Sequence, residues 1–139
     1  IGGFTGVCFT GALIMISFGY MGEIGVLPAW AGLILGGVGW AMIMVATGLP
    51  FGLYDGLGVD NSKIKEELVW SANALRTFIL VGWIIYPLGY LVGTDMIDAG
   101  DDGQEIMAIL YNVADMINKI GFGIVAWMGA RKASAHMSF

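Results

Sequence analysis

Four apolar runs of 22 to 25 residues each set what this chain can fold into. A helix needs about 20 mostly apolar residues to cross the hydrocarbon core of a bilayer. Residues 1–22 and 26–49 carry no charge, residues 70–93 carry only Arg76, and residues 106–130 carry Asp115 and Lys119. Strands of a membrane barrel would alternate polar and apolar positions over about 10 residues, which these runs do not do. Charged residues make up 12% of the chain and hydrophobic ones 58%. A soluble domain carries about 25% charged residues, and a disordered chain lacks such apolar content. Most of the 23 glycines lie inside the apolar runs, where small residues let membrane helices approach closely. The expectation is an all-α, polytopic membrane helix bundle, a single transmembrane domain over 1–139, with the lipid bilayer as its first partner. One Cys and one His leave almost no material for a zinc site, and Cys8 reads as a packing residue. Six basic residues against eleven acidic ones argue against nucleic acid.

The connections give a direction. Lys63, Lys65, Arg76, Arg131 and Lys132 fall beside the second connection or after the fourth run, and the other two connections hold no Lys or Arg. The positive-inside rule then puts the second connection and both ends of the chain in the cytoplasm. Asp95, Asp98, Asp101, Asp102 and Glu105 face outward, as a solvated loop or a proton-dispersing surface. Asp60-Asn61-Ser62 reads as a helix start, with Glu66 and Glu67 near the positive end of its dipole. His136 reads as a surface residue of the tail. The first residue already lies in an apolar run, with no basic stretch before it, so the chain is expected to be a piece of something longer.

Lys119 is the sixth basic residue, and it stands apart. It lies about 20 Å and 17 Å from the two ends of its run, near the bilayer midplane. Asp115, four residues earlier, shares its helix face. Each such residue costs about 2.5–3.5 kcal/mol at the centre of an inserted helix, so the pair needs compensation. One reading is a structural ion pair that locks the bundle. The other is a covalent attachment point, because a desolvated lysine condenses with a carbonyl to form a Schiff base. A protonated imine in hydrocarbon needs a carboxylate counter-ion, and Asp115 is spaced to be one.

A possible ligand slot lies at the same depth. Trp83, Tyr86, Pro87 and Tyr90 recur at i, i+3, i+4 and i+7, one face of the third run. They suit either a packing stripe or the wall of a slot for a long, flat, apolar ligand. Pro87 is expected to kink or loosen the helix. Trp40, preceded by Gly36 and Gly37, can close the far end.

Two segments, Tyr111-Asn112-Val113-Ala114-Asp115-Met116-Ile117-Asn118-Lys119 and Trp83-Ile84-Ile85-Tyr86-Pro87-Leu88-Gly89-Tyr90, resemble the last two helices of a microbial rhodopsin, in particular of its proteorhodopsin branch. Phe18-Gly19-Tyr20-Met21-Gly22-Glu23 and the spacing from Trp30 to Trp40 resemble that family's fourth and fifth helices. The resemblance covers essentially the whole chain. It implies a seven-helix fold in a bacterial-type cell membrane, of which four helices are here and the first three are absent from this sequence. It implies all-trans retinal on Lys119 as a retinylidene Schiff base, with Asp115 as one of its two counter-ions. Trp83, Tyr86, Pro87 and Tyr90 then line the polyene and ring, and Met15, Gly19, Gly36 and Trp40 the ring end. Asn118 either tunes colour through its dipole or makes a helix–helix hydrogen bond. Tyr111 either bonds Asp115 or packs, and Glu23 is an exposed loop charge. The implied activity is a light-driven outward proton pump, not an enzyme reaction, with homo-oligomers common in the family. A sensory photoreceptor, or a retinal-free membrane subunit or ion-coupled carrier using Asp115 and Lys119, remains open.

Overall fold

The computed structural model describes residues 2–47 and 66–135. The helix start at Asp60-Asn61-Ser62, the basic residues Lys63 and Lys65, and His136 lie outside them. Five α-helices follow in order: α1 (Gly2–Glu23), α2 (Ala29–Thr47), α3 (Glu66–Leu80), α4 (Ile85–Gly93) and α5 (Gly103–Ala135). Among the described residues there is no strand. Four candidate membrane spans result, at Gly3–Glu23, Ala29–Thr47, Leu68–Gly93 and Gly100–Ala135. The all-α membrane bundle read from the sequence is what the chain forms.

The boundaries differ from the expected ones for local reasons. The α1 helix stops because Gly25 adopts φ +75, a conformation glycine reaches without steric cost. Residues 26–28 are therefore bent rather than helical, and α2 begins only after Pro28, whose carbonyl accepts the N–H groups of Ala31 and Gly32. The third span is not one helix. Its hydrogen-bond ladder changes from i−4, Val81 N–H to the Thr77 carbonyl, to i−3, Ile84 N–H to the Val81 carbonyl. A 3-10 turn at Gly82–Ile84 separates α3 from α4. Pro87 accounts for the place of the break, since it offers no N–H to the carbonyl of Trp83 and its ring crowds that carbonyl. The fourth span runs past both expected ends. Glu105 in its first turn and Lys132 in its last both oppose the helix dipole favourably.

The bundle is two packed groups. The α1 helix packs chiefly on α2, and α5 packs on α3 and α4. The first pair meets at glycine: a Cβ on Gly39 would stand 2.6 Å from the backbone nitrogen of Met15, and one on Gly11 2.7 Å from the Gly39 carbonyl. Backbones this close gain van der Waals contact that lipid cannot supply. Three hydrogen bonds from aromatic side chains cross between the groups. Trp40 Nε1 donates to the Ile79 carbonyl (3.1 Å), Tyr90 OH to the Ala29 carbonyl (2.8 Å) and Tyr111 OH to Glu23 Oε1 (2.7 Å).

Candidate functional site

Between the two groups runs a groove of about 980 Å³. Its size falls at the upper end of the roughly 300–1,000 Å³ of small-molecule sites. One wall comes from α1 and α2 through Met15, Gly19, Gly36 and Trp40. The other comes from the third span through Trp83, Tyr86, Pro87 and Tyr90, and from α5 through Asn118 and Lys119. All the expected lining residues therefore meet in one place. Trp83 reaches it from the 3-10 turn, so the break in the span is part of the wall.

Lys119 Nζ lies 2.8 Å from Asp115 Oδ2, the i, i+4 pair expected on one helix face. The pair is not enclosed. The Lys119 side chain, which lines the groove, is 76% exposed and that of Asp115 46%. Tyr86 OH donates to the other carboxylate oxygen, Asp115 Oδ1, at 2.5 Å. One acid is thus held at both oxygens, by a cation and by a phenol. A carboxylate held this way has a fixed orientation and presents its charge to the amine.

Tyr111 does not bond Asp115. Its hydroxyl points away, to Glu23 at the end of α1, while its ring packs against Gly89 and stands 5.7 Å from the Tyr86 ring at a tilt of 54°. Tyr86, one helix over, is the phenol that reaches the acid. Glu23 is correspondingly more than a loop charge, since it ends α1 and accepts the bond that ties α5 to that helix. The Tyr90 hydroxyl fits the notch between Gly22 and Gly32, where a Cβ on either glycine would collide with it. Asn118 makes the helix–helix bond, donating Nδ2–H to the Gly82 carbonyl at 2.9 Å.

Further lining residues escaped the sequence reading. Phe122 stands one turn beyond Lys119 and Ile16 one turn before Gly19, spacings that would have found them, and Tyr20 follows one turn after Ile16. Leu33 and Gly123 offered no chemical signal.

A family model described as bacteriorhodopsin-like protein matches residues 5–133 of this chain. The chain is 38% identical over 128 residues to the green-light absorbing proteorhodopsin of Gamma-proteobacterium EBAC31A08, covering 91% of the chain and 48% of that protein. It is 36% identical over 129 residues to the blue-light absorbing proteorhodopsin of Gamma-proteobacterium Hot 75m4, with the same coverage. Similarity to sensory rhodopsin-2 of Haloarcula vallismortis is 29% over 114 residues. The chain spans about half the length of the curated relatives it matches.

Proposed function

The chain belongs to the bacteriorhodopsin-like protein family, and from that premise we propose that it is part of a retinal-binding, light-driven outward proton pump of the proteorhodopsin kind. Lys119 is the attachment point, through a Schiff base to all-trans retinal, and Asp115 is its counter-ion. The observation that carries the reading is Lys119, paired with Asp115, lining an aromatic-walled groove. The residues fit the group: one primary amine is the covalent anchor, apolar and aromatic walls suit a polyene, and the anchored charge has a carboxylate beside it. Over most of the chain the proteorhodopsins are 36–38% identical and sensory rhodopsin-2 is 29% identical, which supports a pump above a sensor.

The chain's own side chains divide the work. Asp115 Oδ2 is placed to take a proton from the Lys119 ammonium, which frees the lone pair for attack on an aldehyde. Condensation would form one C=N bond and release the aldehyde oxygen as water, and the proton held on Asp115 would return to Lys119 Nζ, leaving a cation beside a carboxylate. When bound, retinal supplies absorption of visible light and a photoisomerisation that re-aims the proton held at Lys119 Nζ. Asp115 balances that positive charge in the resting protein, and Tyr86 keeps the carboxylate from rotating away. Trp83, Tyr86, Pro87 and Trp40 confine a flat ligand, Tyr90 closes the wall toward Gly22 and Gly32, and Met15, Gly19 and Gly36 leave room at the far end. By the positive-inside rule, Arg131 and Lys132 mark the cytoplasmic end of α5, so protons leave toward Glu23 and the 94–102 connection. No substrate is chemically transformed. The three helices expected ahead of α1 complete the seven.

The test illuminates unbuffered cells that carry the intact protein and all-trans retinal. The expected result is acidification of the medium, collapsed by a protonophore. A visible band with a photocycle but no acidification supports the sensory reading. No visible band on adding retinal overturns the assignment in favour of a membrane subunit or carrier.

A further inference from the structure

Asn118 is 4% exposed, and both ends of its carboxamide meet Gly82. Its Nδ2 donates to the Gly82 carbonyl. Its Oδ1 has no hydrogen-bond partner and lies over the Gly82 Cα, where a methyl group would collide with it. The opposite amide orientation would set two oxygens against each other, so the orientation is fixed. A buried acceptor of this kind is costly unless some contact offsets it. It faces the Cα–H of glycine, a contact that contributes weakly at helix interfaces, and the carboxamide also neighbours the Tyr86 hydroxyl.

The position of this clasp gives it meaning. Gly82 precedes Trp83 and opens the 3-10 turn that carries the Trp83 ring into the groove. Asn118 precedes Lys119. One side chain therefore joins the peptide before the wall ring to the peptide before the amine, across two helices. The turn at 82–84 has no side-chain cap of its own, so the register of Trp83 against α5 depends on contacts from α5. We propose that Asn118 is a positioning residue: its carboxamide clasps Gly82 and sets the distance between the Trp83 ring and Lys119 Nζ. The inference rests on the retinal reading for its spectroscopic test, while the clasp itself concerns only this chain's residues.

The test is a double-mutant cycle in the intact protein, with Asn118→Ala, Gly82→Ala and both together. In pigment formed with all-trans retinal, each single change is expected to move the absorption maximum and to speed dark bleaching by hydroxylamine about fivefold, the factor set by one hydrogen bond. The double variant is expected to go no further than either single one. A side chain that acts only through its own dipole gives a shift with Asn118→Ala, little with Gly82→Ala, and additive effects, which overturns the proposal. Unchanged colour and bleaching in Asn118→Ala also overturn it. Should that variant form no pigment, Asn118→Ser replaces it, and loss of pigment there too marks a purely structural residue and overturns the positioning role. A parent protein without a visible band fails the retinal reading and leaves a second readout for the clasp. In protein prepared without retinal, the near-ultraviolet circular dichroism of Trp83, taken as the difference from Trp83→Phe, should change alike in both single variants. No change there overturns the clasp itself.

Discussion

Lys119 holds its amine on an open wall, and that exposure places its chemistry above its contribution to stability. Lys119→Ala in the intact protein is therefore expected to abolish the visible band on addition of retinal while the protein still folds. A coloured variant removes the attachment role. Asp115→Asn is expected to move the band to longer wavelength, because a carboxylate beside the nitrogen favours the ground state, where positive charge sits there; an unmoved band takes Asp115 out of the counter-ion role. Tyr86→Phe removes the phenol bond to Asp115 Oδ1 and is expected to lower stability. Its thermal denaturation and absorption maximum should both change, and constancy of both denies that Tyr86 orients the acid. At this scale the sequence disclosed the charged pair, since two ions inside an apolar run are conspicuous and i, i+4 spacing is local. The phenol partner was not legible. Tyr86 and Tyr111 are both within a helix turn or two of the acid's depth, and only the packing of α4 on α5 decides which hydroxyl reaches it.

Among elements, the long charge-free runs were readable because hydrophobicity acts residue by residue, whereas the interruption of the third span was only half readable. Pro87 announced a disturbance, yet the ladder changes three to six residues earlier, where its missing N–H is felt. Pro87→Ala restores a donor to the Trp83 carbonyl and is expected to make the span more continuous. The visible band should shift without a lower denaturation midpoint, and a lowered midpoint would show that the break stabilises the fold. Between α1 and α2 the governing fact is backbone proximity at Gly11 and Gly39. Gly39→Ala forces these helices apart and is expected to cost about 1–3 kcal/mol, read as a lower thermal midpoint in detergent. An unchanged midpoint denies that this contact holds the pair. Glycine content alone did not reveal which glycines touch, since that depends on helix rotation.

For the whole molecule, the groove lies between two helix groups and leaves one flank of Lys119 uncovered. The relatives are about twice as long as the chain, which fits an assembly in which further helices cover that flank. The 139-residue chain expressed alone with retinal is expected to give a band that hydroxylamine bleaches quickly, and co-expression with the three-helix segment of a proteorhodopsin should slow the bleaching. Equal bleaching in both preparations denies that such a segment encloses the site. The three aromatic ties across the groove have a one-sided design. Every donor is an indole or phenol, but two of the three acceptors are main-chain oxygens, at Ile79 and Ala29. Main-chain oxygens are present whatever residue occupies the position, so these bonds constrain Trp40 and Tyr90 but not the side chains at 79 and 29, the first of which is held by its burial instead. In a library of random variants, loss of these two ties should therefore be lopsided, following replacement of Trp40 or Tyr90 far more than of the positions they grip.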